Sequence, residues 1–184
     1  VSQLVDAASG IHARHNPYYI RTVRGDKKDP LTRMMADAGF PIEDDAMNPS
    51  NTSVFSFPMK VDDGAVFRTD MSAIEQLELW LTYQKYWCEH KPSVTISVKE
   101  DEWLEVGAWV FKHFDFMSGV SFLPFAEHTY KQAPYQDIKK EEYEILLDKM
   151  PKEVEWSKLS EYEKTDMTIG SQELACAAGG CEIQ

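Results

Sequence analysis

Val94-Thr95-Ile96-Ser97-Val98 is the stretch that decides the fold, and it alternates apolar and hydroxyl side chains. A period of two predicts a β-strand with one buried face. Residues 103–114 follow with a helical period, and residues 120–125 predict another short strand. The apolar face of the predicted helix carries Trp103, Val106, Val110 and Phe114. With the strand predicted at 52–60 and the helix predicted at 71–89 before these elements, the order strand, helix, strand, helix, strand predicts parallel α/β units.

Upstream of this unit, residues 71–89 predict a longer amphipathic helix, with Asp70 as its N-cap. Gln84 interrupts the apolar face, and Cys88 at its end is interpreted as a small core residue rather than a catalytic one. The face comprises Ile74, Leu77, Leu81 and Cys88, with Trp80 and Trp87 beside them. This helix would pack against the predicted strands.

The first third of the chain also alternates strand and helix patterns. β-Branched and aromatic residues in the segment 18–24 predict a strand. Residues 31–38 predict a short helix, and the polar residues 41–51 predict a loop. Residues 52–60 predict a strand that Pro58 should end, because proline cannot donate a hydrogen bond to a sheet.

Composition and charge limit the classes of function. The chain has 184 residues, of which 43% are hydrophobic, and a net charge of −12. The negative charge opposes binding to a nucleic acid polymer, because phosphates attract basic surfaces. No apolar run reaches the ~18 residues of a membrane span, and no signal peptide opens the chain. We therefore expect a cytoplasmic protein without a membrane partner and, because the first residue is Val1, a piece of a longer chain.

The end of the chain, Cys176-Ala177-Ala178-Gly179-Gly180-Cys181-Glu182-Ile183-Gln184, holds two of the 3 cysteines. Glycine accepts positive φ, so the intervening residues can fold back to the ~4.4–6.8 Å Cα separation that a disulfide needs. The pair Cys176 and Cys181 therefore predicts a redox shuttle. A chance pair of tail cysteines stays open as an alternative. A zinc site would need two further ligands, and none is close in sequence.

Basic residues near the N-terminus are further candidates. His12 and His15, with Arg14 between them, can bind a metal ion or a phosphate. Histidines at this spacing without a carboxylate partner are usually hydrogen-bonded at the surface, so we predict no metal site. Arg21 and Arg24 can face a substrate, and salt bridges to acidic neighbours are the favoured alternative.

Short motifs run in order across nearly the whole chain. They are Ser9-Gly10-Ile11-His12-Ala13-Arg14, Tyr19-Ile20-Arg21, Thr52-Ser53-Val54-Phe55-Ser56-Phe57-Pro58, Ser93-Val94-Thr95-Ile96-Ser97, Gly119-Val120-Ser121-Phe122-Leu123-Pro124, Tyr130-Lys131-Gln132-Ala133-Pro134-Tyr135, Gly170-Ser171-Gln172-Glu173-Leu174 and Cys176-x4-Cys181. Together these motifs resemble the C-terminal portion of the adenosylcobalamin-dependent (class II) ribonucleoside-triphosphate reductases of the monomeric type.

The resemblance implies a fold and a division of the chain. The fold would be α/β, the C-terminal part of the ten-stranded α/β barrel of the reductases, with a flexible C-terminal tail. Residues 1–135 would form the barrel segment, residues 136–170 a charged arm with a helix at 139–150, and residues 171–184 a mobile redox tail.

The resemblance also implies a reaction, the reduction of a ribonucleoside triphosphate to its 2′-deoxy product for DNA precursor synthesis. Adenosylcobalamin would supply the initiating radical by Co–C homolysis. Cys176 and Cys181 would re-reduce the active-site disulfide by thiol exchange and would then be reduced by thioredoxin. The radical cysteine, the electron-donating cysteines, the allosteric effector contacts and most cobalamin contacts would lie before Val1. The segment alone is therefore expected to be inactive without the N-terminal part of the reductase.

Two further positions follow from the resemblance and from barrel geometry. Ser2 aligns with the end of the family's substrate-phosphate loop, where hydroxyl and backbone N–H groups suit phosphate oxygens. A structural role for this serine is the alternative. Glu127-His128-Thr129-Tyr130 follows a strand end, where α/β barrels place functional loops, so this stretch is a candidate to line a site.

Two functions of other classes compete with the reductase segment. One is a non-catalytic acidic binding module with incidental tail cysteines, which the ordered motifs argue against. The other is a free-standing thiol oxidoreductase. That class usually places Cys-x-x-Cys at a helix start, where the helix dipole lowers the thiol pKa, whereas four residues separate Cys176 from Cys181 here.

Overall fold

The computed structural model describes residues 7–125 and 130–164. In chain order, the strands are β1 (Tyr18–Asp26), β2 (Ile42–Asp44), β3 (Thr52–Lys60), β4 (Thr95–Val98), β5 (Ser121–Pro124) and β6 (Tyr135–Asp137). The helices are α1 (Pro30–Asp37), α2 (Ala73–Tyr86), α3 (Trp103–Lys112), α4 (Lys140–Asp148) and α5 (Leu159–Tyr162). These elements divide into two compact units, which comprise residues 7–17 with 60–125 and residues 18–59 with 130–164.

The first unit contains the predicted strand–helix–strand pattern. Strands β4 and β5 pair in parallel, with Thr95 opposite Ser121 and Val98 opposite Pro124. Helices α2 and α3 and strand β4 supply the hydrophobic core of this unit. Its most deeply buried side chains are Leu77, Trp80, Ile96 and Val98. Each such side chain stabilises the fold by about 1.5–3 kcal/mol through removal of apolar surface from water. The prediction of a parallel α/β unit is confirmed for this pair of strands.

Helix α2 begins and ends differently from the prediction. Ser72, rather than Asp70, is the N-cap, and it forms a capping box with Glu75. The carboxylate of Asp70 instead accepts a hydrogen bond from the backbone N–H of Phe67 at 2.9 Å. Because the helix ends at Tyr86, Cys88 lies beyond it and is half-buried rather than part of the core face.

The second unit contains a four-stranded sheet in the order β2-β3-β1-β6. Strand β2 pairs antiparallel with β3, and β6 pairs antiparallel with β1. Strand β3, which the element order placed in the parallel α/β units, instead belongs to this sheet and pairs antiparallel with β2, so that part of the prediction is wrong. Both added strands have three residues, too few to show a period of two, and each gains its conformation from its longer partner.

Strand β3 continues through Pro58 to Lys60, so the prediction that Pro58 ends it is wrong. The neighbouring strand β2 pairs with residues 53–55 of β3. Within the described residues, β2 therefore does not reach Pro58, and on that side the missing N–H leaves no ladder bond unmade. This is the position in a sheet where proline is tolerated.

The described strands form one sheet of four strands and one of two. The part of the chain that the structure describes therefore contains a mixed α/β fold and no closed ten-stranded barrel. The division into a barrel segment, a charged arm and a tail stays a prediction. No helix among the described residues is both long and apolar enough to cross a membrane.

Candidate functional site

Several predicted site residues lie outside the described part of the chain. They are Cys176 and Cys181 of the redox pair, Ser2 of the phosphate loop and residues 127–129 of the loop candidate. Of the loop candidate 127–130, the structure describes Tyr130, whose side chain is 69% exposed. The roles of these residues stay predictions, and the candidate residues that the structure describes lie in the segments 7–17, 18–26 and 130–135.

The turn at Gln132 has an unusual backbone conformation. Gln132 has a φ of 58°, in the left-handed region that residues other than glycine rarely adopt. Its buried side-chain amide accepts a hydrogen bond from the N–H of Ala46 and donates one to the carbonyl of Asp44, both at 2.8 Å. Such a conformation costs about 1–3 kcal/mol and persists where surrounding contacts enforce it.

An ion pair holds this turn from the side of β1. The Nε of Arg24 lies 2.6 Å from Oδ2 of Asp45, and Nη2 of Arg24 donates to the carbonyl of Gln132 at 3.2 Å. The other carboxylate oxygen of Asp45 accepts hydrogen bonds from the backbone N–H groups of Met47 and Asn48, both at 2.9 Å. The carboxylate of Asp45 is therefore fully engaged.

Opposing effects act on the pKa of Asp45. Burial raises it, and the hydrogen bond from Arg24 lowers it, together with those from the backbone N–H groups of Asn48 and Met47. The lowering contributions prevail, so the pKa of Asp45 lies below its ordinary value. The carboxylate is consequently ionised at neutral pH, as the ion pair requires.

Arg21 holds the same turn through different contacts. Its Nη1 donates to the carbonyl of Pro134 at 3.1 Å, and its guanidinium lies 4.6 Å from the centroid of the Tyr135 ring. The salt-bridge interpretation is confirmed for Arg24, and Arg21 adds a carbonyl and an aromatic contact. Both arginines thus hold residues 130–135 in place, an outcome that no sequence pattern around Gln132 or Asp45 would have indicated.

The basic segment of the first unit is held by backbone contacts. The N–H of Arg14 donates to the carbonyl of Val66 at 2.8 Å, and the N–H of Arg68 donates to the carbonyl of Arg14 at 2.9 Å. His12 contacts Ser93, with 3.3 Å between Nε2 and Oγ. Within residues 7–125 and 130–164, no three His, Cys, Asp or Glu side chains come together as a group able to hold a metal ion.

Phe125 follows the carboxyl end of β5, and Arg68 lies against its ring. The N–H of Phe125 donates to the carbonyl of Val98 at 2.7 Å, which extends the pairing beyond β5. The guanidinium of Arg68 lies 4.7 Å from the centroid of the Phe125 ring, and its Nε donates to the carbonyl of His15 at 3.1 Å. This is the edge of a parallel sheet at which α/β proteins bind ligands, and sequence patterning did not single out Arg68.

No family model matches the chain. It is 30% identical over 168 residues to the adenosylcobalamin-dependent ribonucleoside-triphosphate reductase of Euglena gracilis, an alignment that covers 90% of this chain and 23% of the relative. The enzyme of the same name from Lactobacillus gasseri is 28% identical over 192 residues, which covers 100% of this chain and 25% of the relative. The chain thus spans about a quarter of the length of these relatives.

A solved structure is similar to the chain in its fold. The crystal structure of a B-12 dependent (class II) ribonucleotide reductase superimposes with a TM-score of 0.71 and 26% identity, over 88% of this chain and 23% of the reductase chain. In both sequence and fold, the chain resembles the C-terminal portion of the adenosylcobalamin-dependent ribonucleoside-triphosphate reductases.

Proposed function

We propose that this chain is a C-terminal segment of an adenosylcobalamin-dependent ribonucleoside-triphosphate reductase, which converts a ribonucleoside triphosphate to the 2′-deoxy product for DNA synthesis. The observation that carries the proposal is the 30% identity to the Euglena gracilis enzyme over 90% of this chain. The TM-score of 0.71 to a class II reductase supports it independently of the alignment. A non-catalytic binding module explains neither similarity.

In the assembled enzyme, the parallel strands β4 and β5 would be two neighbouring strands of the ten-stranded barrel. They pair in parallel over Thr95–Val98 and Ser121–Pro124, and α2 and α3 bury the core against β4. Strands from the remaining reductase polypeptide would complete the barrel. The carboxyl edge of this pair, with Arg68 and Phe125, would then face the same end as the other βα loops.

Adenosylcobalamin, when bound to the assembled enzyme, supplies the initiating radical. We assign the binding of adenosylcobalamin to the part of the reductase that this chain does not match.

The ion pair of Arg24 with Asp45 and the hydrogen bond from Arg24 to the carbonyl of Gln132 would hold residues 130–135 in place within the assembled enzyme.

The tail cysteines would return the active site to its reduced form. The thiolate of one tail cysteine attacks the active-site disulfide, which forms a mixed disulfide and releases one active-site thiol. The second tail thiol then attacks the mixed disulfide, so that Cys176 and Cys181 end as a disulfide and the active-site dithiol is restored. Two electrons from a thioredoxin dithiol reduce the tail pair again. Small residues at positions 175 and 177–180 suit a tail that enters a narrow channel.

This role of the tail is tested in a chimera in which this chain replaces the matched segment of the Euglena gracilis reductase. With thioredoxin as the reductant, we expect the Cys176→Ser, Cys181→Ser variant to stop after about one turnover, since the active-site disulfide is no longer reduced. With a small dithiol it should turn over as the parent does. Cys88→Ser is the matched control, because it removes a thiol that lies in the first unit.

Equal multiple-turnover rates of the double variant and the parent with thioredoxin would refute the shuttle. Loss of turnover in Cys88→Ser with a small dithiol would show that the assignment of the reactive thiols is wrong.

A further inference from the structure

Helix α3 has an exposed apolar face, which we call its outer face and define as Leu104, Gly107, Ala108 and Phe111. Residues three, four and seven positions apart lie on one side of a helix. The side chains of Leu104 and Phe111 are 89% and 86% exposed. Phe114, in the turn that follows the helix, is 70% exposed.

The opposite side of α3 already supplies the core of its unit. Val106 and Trp109 are buried there, and the indole N–H of Trp109 donates to Oε1 of Glu78 on α2 at 2.6 Å. The outer face is therefore not needed for packing within this unit. A helix that is apolar on both sides is typical of a helix with protein on both sides.

The exposed apolar area of the outer face of α3 is large for a patch on the surface of a monomeric protein. An aromatic side chain carries about 150–250 Å², so the exposed side chains of Leu104 and Phe111 together present on the order of 300 Å² of apolar surface. Contiguous apolar patches of roughly 300–600 Å² are among the largest on monomeric proteins and often bind a partner. The outer face of α3 therefore resembles a contact surface.

We propose that the outer face of α3 docks against the remainder of the reductase polypeptide, the part of the relatives that this chain does not match. This inference rests on the proposed function. The matched segment is 23% of the Euglena gracilis enzyme and 23% of the solved class II reductase chain, so most of either polypeptide lies outside it. The unmatched part of the reductase polypeptide is therefore large enough to bury the outer face of α3.

Charge argues against a second copy of this chain as the occupant. The net charge of −12 makes two copies repel each other. Near one end of the outer face, Glu100 and Asp101 in the turn before α3 and Glu105 in its first turn are exposed acidic residues. The occupant is therefore a surface with an apolar centre and basic groups beside it, where they face these carboxylates.

The test compares the same substitutions in two contexts, the isolated 184-residue chain and the chimera with the Euglena gracilis reductase. Leu104→Lys with Phe111→Lys places charges on the outer face, and Ile145→Lys is the control at an exposed helical position of the second unit. We expect the double variant to lower the Tm of the chimera by at least about 5 °C and that of the isolated chain by no more than about 1 °C. The control should shift neither.

Equal shifts in the two contexts would overturn the proposal, as would a chimera-specific loss that Ile145→Lys shares. An isolated chain that is a dimer, and that the double variant converts to a monomer, would identify a second copy as the occupant and would also overturn it. These readouts require no turnover. An inactive parent chimera would therefore contradict the proposed function while the Tm comparison still decides the docking surface.

Discussion

Gln132 and Asp45 show how single residues fix the shape of the second unit. The left-handed backbone of Gln132 is held by its own side-chain amide, which bridges Ala46 and Asp44. Asp45 lies between these two positions and joins the same turn through Arg24. The turn and the loop after β2 therefore stabilise each other, and each should lose order when the other is cut.

Substitution at Gln132 separates backbone strain from side-chain bonding. Gln132→Ala removes both amide hydrogen bonds and keeps a Cβ at positive φ, so we expect a loss of about 2–4 kcal/mol in the free energy of unfolding. Gln132→Gly should lose about 1 kcal/mol less, because glycine accepts this conformation without strain. Urea denaturation measures both variants. A glycine variant less stable than the alanine variant would contradict a left-handed Gln132.

The exposed pair of Asp44 with Lys27 is a matched control for the buried pair of Asp45 with Arg24. Asp45→Asn breaks a buried carboxylate's hydrogen-bonded ion pair, and we expect a loss of about 1.5–3 kcal/mol at pH 7. The carboxylate of Asp44 is 65% exposed and pairs with Lys27. Asp44→Asn removes this surface pair and should cost less than about 1 kcal/mol in the free energy of unfolding. Equal losses in urea denaturation would show that the Asp45 contacts add nothing beyond a surface pair.

The same aspartate makes stability depend on pH. The pKa of Asp45 is lower in the folded chain than its ordinary value of 3.8, so its contribution is present above that value and is lost as the pH falls through the folded pKa. The free energy of unfolding of Asp45→Asn should therefore fall less steeply than that of the parent below about pH 4. Parallel pH profiles of the two proteins would contradict this linkage.

At the scale of elements, regular patterns were predictable and short or context-dependent ones were not. The period of two in β4 and the positions of Val106 and Val110 in α3 come from residues that contact the core, so the sequence alone indicated them, whereas Trp103 and Phe114, predicted on the same helix face, are exposed. Strands β2 and β6 are formed by pairing with β3 and β1, and no local pattern reveals such a partner. The cap of α2 did have a signal, since Ser72 and Glu75 have capping-box spacing.

The capping box of α2 gives a test at this scale. Ser72→Ala leaves the N–H of Glu75 without its side-chain acceptor, now at 3.2 Å, and should cost about 1 kcal/mol in the free energy of unfolding. Ser72→Asp keeps an acceptor at the same position and should stay within about 0.5 kcal/mol of the parent. Thermal or urea unfolding that shows the same loss for both variants would rule out capping by this side chain.

At the scale of the whole molecule, the resemblance to the class II reductases was visible in the sequence, and the structure adds a similarity of fold. Ordered motifs pointed to the reductases, and the alignment and the superposition agree with them. Closure of a barrel is a property of many strands together, so this segment cannot show it by itself. Cys176, Cys181 and Ser2 lie outside the described residues, and for them the sequence remains the source of the prediction.

The central claim is that this chain can serve as the C-terminal segment of a class II reductase. The most direct measurement is the reduction of a ribonucleoside triphosphate by the Euglena gracilis enzyme whose matched segment has been replaced by this chain. Adenosylcobalamin and a small dithiol are supplied, so that the tail is not required. We predict many turnovers by the chimera and none by the enzyme that lacks the segment. A folded, soluble chimera no more active than the truncated enzyme would contradict the claim.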